Sequence, residues 1–346
     1  MSERPVTSEV SALIALLAGG LAIGSAGIFV RLSETGPTAT AFWRGCLALP
    51  LLALWAGLER RSAAAARARG ATRAATPAAG VAAGAGRQPP SAAASLRDPL
   101  LFWAGVFFAG DLALWHWSLL LTSIAAATLE ANCAPVLVTL LAWALWRERP
   151  RLAFLGVLVL AFGGMLLILA PKLGAGSHAL LGDALGLGTA CFYAAYILAV
   201  ARLRARHSTG SVMFASTLVF TVLLLPLALT QRFLPLTAHG WWLLIGCALS
   251  AQVLGQSLIA YALAHLPAAF GAVGLYVQVI AAAVYAWLLL GERLAPLQIA
   301  GGLVVMTAIA LARRAQRVAP AAAAGDAPQA QRASIQSSVS RQSESR

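Results

Sequence analysis

The chain has 346 residues, of which 60% are hydrophobic and 11% charged, with a mean hydropathy of +0.79. A soluble domain carries about 25% charged residues to coat its surface, so a soluble fold is excluded and the chain reads as a polytopic membrane protein. The formal net charge of +13 comes from arginines placed between apolar runs, which orients a chain in a bilayer and does not call for nucleic acid as a partner.

A bilayer core takes about 20 apolar residues per helix, and by that measure ten spans are predicted in chain order. They lie at 10–31, 38–57, 100–121, 124–146, 152–171, 182–203, 210–229, 240–262, 267–290 and 295–313. Residues 1–9, MSERPVTSE, read as a cytoplasmic tail before a retained first span, because no small-residue cleavage site follows that run. The eighth and ninth spans divide at His265, Leu266 and Pro267, since a fused run of about 50 apolar residues far exceeds one bilayer. The connection 58–99 is low-complexity Ala, Arg, Gly and Pro and is expected to be a disordered cytoplasmic insertion within reach of anionic lipid. The tail 318–346, rich in Ala, Ser and Gln, also has nothing to bury.

Glycines recur in the first span (Gly20, Gly24, Gly27), the fifth (Gly156, Gly163, Gly164) and the tenth (Gly301, Gly302). They are expected to be packing seams, since small residues let helices approach in lipid. All four cysteines, Cys46, Cys133, Cys191 and Cys247, sit inside apolar runs without a CxxC pair or a His cluster, so neither a disulfide framework nor a metal site is inferred and no cofactor is implied. With ten spans and the N-terminus inside, 20 cationic residues fall on the cytoplasmic side against four outside. That asymmetry predicts a plasma (inner) membrane protein with both termini cytoplasmic.

The chain also repeats itself. The pattern AWxLxxER at Ala142, Trp143, Leu145, Glu148 and Arg149 returns 144 residues later as Ala286, Trp287, Leu289, Glu292 and Arg293. Two copies with an odd number of spans each enter the bilayer with opposite topology. The expected fold is therefore all-α, integral to the membrane, with ten transmembrane helices in two inverted five-helix repeats at 10–171 and 182–313.

These features resemble the EamA-like branch of the drug/metabolite transporter superfamily. The resemblance rests on FVRL at 29–32, FWRG at 42–45, DLALWHWSL from Asp111, APV at 134–136 followed by AWALWRER, and QVIAAAVYAWLLLGER followed by LQIAGG in the second half. It implies a central cavity lined mainly by spans 1, 3, 4, 6, 8 and 9, and movement of small metabolites, often export of amino acids or related compounds. One departure is that the branch usually has a proline after the Glu or Gln of the ninth span, whereas Val279 follows Gln278 here.

An ionisable residue within the hydrocarbon is costly and is a functional candidate by default. Arg44, Asp111, His116 and Glu130 qualify, and at about 1.5 Å per residue their counted depths fall in one layer. Two readings stand side by side. In one, Arg44 holds a carboxylate in an outward-opening chamber while Asp111 or His116 handles a proton or an ammonium group. In the other, Arg44 forms a buried structural pair with Glu130 or Asp111, and His116, between Trp115 and Trp117, is packed. Trp115, Ser118 and Thr122 continue the Asp111 face of the third helix, and Gln252, Gln256, Tyr276 and Gln278 are the polar candidates of the second half. Tyr193, Tyr196 and Tyr261 fit either lining or packing. One cation beside two carboxylates leaves one carboxyl protonated for part of a cycle, with Asp111 the candidate.

The functional expectation is a secondary transporter working by alternating access on a small-molecule substrate, with protons as a coupling ion, since no GxxxxGK[ST] run is present. The alternative class is a membrane-embedded enzyme using Asp111, His116 and Glu130 as acid/base groups.

Overall fold

The computed structural model describes residues 6–74, 98–121, 130–147, 150–170, 180–291 and 293–314. Among these every regular element is helical, and nine helical stretches are long and apolar enough to cross a membrane. They are Glu9–Leu32, Pro37–Ala66, Pro99–Ser118, Leu152–Leu169, Leu180–Leu203, Thr209–Leu229, Ala238–Ala262, Ala268–Leu290 and Pro296–Arg314. The fourth span of the sequence is represented by the shorter apolar helix Ala134–Leu145. Its expected beginning at 124–129, the tail beyond 314 and Glu148, Arg149 and Glu292 of the repeated pattern lie outside the described residues.

The division between the eighth and ninth spans falls where it was expected, with Pro267 as the N-cap of Ala268–Gly274. A proline at that place tolerates the absence of a backbone donor and starts a helix well.

One expectation is corrected. The second helix does not stop near the bilayer edge but runs from Pro37 to Ala74, so the first part of the 58–99 insertion is ordered. Alanine and arginine rank among the strongest helix formers, and a helix already formed by the span carries no nucleation cost to extend. The remaining part, 75–97, lies outside the described residues.

Four spans are interrupted. The first breaks at Ser25 between Val6–Gly24 and Ala26–Leu32. The eighth passes through a π-helical stretch, Ala248–Gln256, between Ala238–Cys247 and Ser257–Ala262. The ninth breaks at Leu275 and Tyr276, between Ala268–Gly274 and Val277–Leu290, and the fourth turns at Asn132 and Cys133 before Ala134–Trp146. The ninth span thus keeps its break without a proline after Gln278. Tight bonds three residues back make it, from Tyr276 N–H to Val273 O at 3.1 Å and from Gln278 N–H to Leu275 O at 3.0 Å. The fourth and ninth spans also end alike, in left-handed residues Arg147 (φ 54°) and Gly291 (φ 68°), which stand 144 positions apart as the repeated pattern does.

The third span packs on the sixth and seventh, the second on the seventh and eighth, the first on the eighth and ninth, and the fourth on the sixth and ninth. The fifth and tenth meet at Gly164 and Gly301, where a Cβ on either would approach the other's carbonyl oxygen to 2.9 and 2.5 Å. Gly20 and Gly24 seat Val277 and Ala281 in the same manner, whereas Gly27, Gly156 and Gly163 have nothing within reach. The seam expectation therefore holds for four of the eight glycines, Gly302 lying only at the edge of contact with Ile280. Large apolar side chains such as Leu54, Val159, Val222, Trp242 and Leu288 stay exposed on the outside of the bundle, where lipid is the natural solvent.

Candidate functional site

The middle of the bundle holds a polar layer built from both halves of the chain. Arg44 on the second span is buried, with 7% exposure. Its Nε donates to Gln252 Oε1 of the eighth span at 3.0 Å, and Gln252 Nε2 donates to Thr217 Oγ1 of the seventh at 2.8 Å. The guanidinium lies over the Phe108 ring, 5.4 Å from its centroid, a cation–π contact that helps hold the charge in a low dielectric. Phe108 in turn stacks on Tyr196 at 4.5 Å, and Tyr196 on Tyr193 at 6.2 Å. Gly45 leaves the room for this packing, since a Cβ there would sit 2.1 Å from Thr221 Oγ1.

Asp111 on the third span lies within electrostatic reach of Arg44 and of Tyr193 and is half-buried. Among the described residues no ion pair joins it to Arg44 and no hydrogen bond satisfies it. A cation and a carboxylate thus share one layer without cancelling each other. Gln256, one turn beyond Gln252, is 3% exposed and neighbours the Tyr193 hydroxyl, while its Oε1 has no partner among the described residues.

Among the described residues no ion pair or hydrogen bond joins Glu130 to Arg44, and its neighbours come from the sixth span. Its carboxylate lies against Gly186 of the sixth span, where an added Cβ would come within 1.9 Å of Oε2, and its charged neighbour is Asp183. Asp183 lies in the first turn of Leu180–Leu203, where an acidic residue is ordinary. Nothing in the sequence pairs it with Glu130.

His116 is 2% exposed. Its Nδ1 meets Leu112 O at 2.5 Å, its ring packs edge-on to Trp115 with centroids 5.0 Å apart, and its Nε2 lacks a partner among the described residues. Five positions from Asp111, it points roughly 140° away around the helix. Trp115 is half-buried like Asp111, whereas Ser118 is fully buried with its hydroxyl unpartnered. Thr122, expected to continue that face, lies outside the described residues. Asp111, His116 and Glu130 therefore do not converge as an acid/base set.

The other second-half candidates meet the fourth span. Tyr276 Oη donates to Asn132 O at 3.1 Å, and Gln278 Nε2 donates to Asn132 Oδ1 at 3.4 Å. Tyr276 and Asn132 stand at the breaks of their spans and 144 residues apart, and Tyr276 is fully buried. Tyr261 sits away from the layer, near Ser11 and His265.

Connections at the bundle ends tie the two halves together. Glu34 accepts from Leu236 N at 2.7 Å, from Thr237 N at 3.0 Å and from the Thr237 hydroxyl. The Thr237 hydroxyl bond, with the two backbone bonds, holds the Glu34 carboxyl below its ordinary range. At the opposite end Asp98 accepts from Leu100 N at 3.0 Å and pairs with His207 Nε2 at 3.0 Å and Arg206 Nη1 at 3.8 Å. Burial alone would push the Asp98 carboxyl up, but His207, Leu100 and Arg206 together hold it below the usual carboxylate value.

A many-spanned helical membrane protein with a buried polar layer made by both halves is the architecture of a solute carrier. The model of the EamA-like transporter family matches residues 180–314. The pseudopaline exporter CntI of Pseudomonas aeruginosa, in strains UCBPP-PA14 and PAO1, is 30% identical over 217 residues, 62% of this chain and 75% of that protein. A crystal structure of a protein 17% identical in sequence shares the fold with a TM-score of 0.65, over 90% of this chain and 97% of the other. The chain belongs to the EamA-like transporter family. Among the described residues no group of three or more His, Cys, Asp or Glu could hold a metal ion.

Proposed function

We propose that this protein exports small metabolites that carry both an amino group and a carboxylate, moving them by alternating access through the layer around Arg44 and Asp111. The observation that carries this reading is the unpaired juxtaposition of Arg44 and Asp111, with Arg44 oriented from the other half by Gln252. A solute with complementary charges compensates both groups at once, which neither can do for the other in its present geometry. The resemblance to an exporter across 75% of its length supports the outward direction.

Two inverted five-helix repeats, 10–171 and 182–313, underlie the movement in this reading. A two-fold exchange of span n with span n+5 turns the third–sixth contact into the eighth–first and the third–seventh into the eighth–second. It also turns the fourth–sixth into the ninth–first and leaves the second–seventh, fourth–ninth and fifth–tenth pairs unchanged. All of these packings occur, and this symmetry supports the inversion. Positive charge on the connections supports an inner membrane topology with both termini cytoplasmic. Asp111 is the group that takes and releases a coupling proton, since it alone among the central carboxylates faces Arg44 without a hydrogen-bond partner among the described residues.

The test is metabolite release. Cells expressing the protein should accumulate amino-carboxylate compounds in the medium beyond those expressing Arg44→Ala. Equal profiles for the two strains, with both proteins inserted in the membrane, contradict the reading.

A further inference from the structure

We infer that Gln256 is the specificity-determining acceptor for the substrate's amino group, so that the carrier selects amino acids against the corresponding 2-oxo acids. The inference rests on the functional reading above and names the substrate feature that the same site recognises.

The geometry starts from the π-helical stretch Ala248–Gln256. Bonding five residues back widens a turn to about 4.4 residues, so residues four and five apart share a face. The contacts follow that register. Ser250 Oγ bonds Ser25 Oγ at 3.0 Å, and Gly255, five positions on, packs on Ile23 of the same first span. The opposite register carries Gln252, Gln256 and Ser257 together, all at or below 4% exposure. Short π segments within a helix gather at functional sites because they re-aim side chains in this way.

The three polar groups differ in how they are satisfied. Gln252 is used at both ends, accepting from Arg44 and donating to Thr217. Gln256 is not used at its carbonyl. Its side chain lies near the Tyr193 hydroxyl, while Oε1 is buried and unpartnered among the described residues. The adjacent Ser257 hydroxyl is buried and unpartnered in the same way. A buried amide carbonyl without a donor is unfavourable enough that native structures nearly always supply one. The donor missing here fits an ammonium. Tyr193 beside Gln256 is within electrostatic reach of the Asp111 carboxylate, whose negative charge favours a cation, and Arg44, held by Gln252 one turn away along the eighth span, takes the carboxylate end. A 2-oxo acid would bring its own carbonyl oxygen against Oε1, acceptor to acceptor, and leave both unpaired.

The test uses full-length protein in liposomes and a panel of labelled L-amino acids paired with their 2-oxo analogues, at fixed pH. Wild type should favour each transported amino acid over its oxo partner by at least tenfold. Gln256→Met, which keeps the volume and removes the acceptor, should cut that ratio by roughly tenfold, through slower amino acid transport and faster oxo acid transport, with unchanged protein yield. Gln256→Glu, which keeps an acceptor, should preserve the preference. An unchanged ratio in Gln256→Met, or an equal loss for both members of each pair, assigns Gln256 to packing or to a structural water and overturns the inference while the transporter reading stands. Failure of wild type to move any member of the panel overturns both.

Discussion

Removing the Arg44 guanidinium should cost more in stability than in any single hydrogen bond, because three neighbours depend on it. In Arg44→Ala, Gln252 Oε1 loses its donor, and a buried acceptor left alone costs about 1–3 kcal/mol. The Phe108 contact contributes about 0.5–2 kcal/mol more, and Asp111 loses a positive charge that offsets its own. Breaking a true buried pair costs about 3–5 kcal/mol, which is an upper bound here since the two charges are not in direct contact. The expected loss is about 3–5 kcal/mol, a large part of a typical folding free energy of roughly 5–15 kcal/mol. The assay is thermal unfolding of detergent-purified protein in a double-mutant cycle with Asp111→Asn. Removing the carboxylate should restore about 1–3 kcal/mol to the Arg44→Ala background. Arg44→Lys should keep yield but lose the ordered bond to Gln252, since a lysine lacks the planar fork. A near-zero coupling energy would refute the claim that the two charges share a layer.

The left-handed ends of the fourth and ninth spans predict opposite responses. Arg147→Gly should stabilise by up to about 1 kcal/mol and Gly291→Ala should destabilise by about that amount, because only glycine adopts positive φ without penalty; melting temperatures decide it. Gly301→Ala should lower yield and stability by about 1–3 kcal/mol, since its Cβ meets the Gly164 carbonyl and Ile168 N, backbone that cannot swing aside. The depressed Asp98 carboxyl contributes stability that is complete above its unfolded value and lost as pH falls through the folded one. Asp98→Asn should therefore weaken the protein at neutral pH and flatten the acid side of its melting-temperature profile.

Span number and most boundaries were legible because the bilayer imposes a length of apolar sequence that chance rarely produces. The split at Pro267 was legible for the same reason. The Ala-Arg run to Ala74 was misread because it lacks a buriable face, yet a helix attached to an existing span needs none. At the site, Arg44, Asp111, Gln252 and Gln256 were visible as polar residues in lipid, and their convergence follows from tertiary packing of spans two, three and eight. The neighbours of Glu130, Gly186 and Asp183, come from another span and are set by tertiary packing, which residue counting along one helix does not show. Asn132 and Asp183 stayed hidden because one lies beside a turn and the other at a span's first turn, where polar residues are ordinary.

The central claim is that solute passes through the Arg44–Asp111 layer from one side of the membrane to the other. Counterflow in liposomes tests it most directly, with unlabelled amino acid loaded inside and labelled amino acid added outside. Wild type should show a transient label overshoot that Arg44→Lys and Asp111→Asn reduce, while a proton gradient speeds net movement in wild type and not in Asp111→Asn. Identical overshoot and gradient response in all three proteins, or chemical conversion of the label without its movement, contradicts the account.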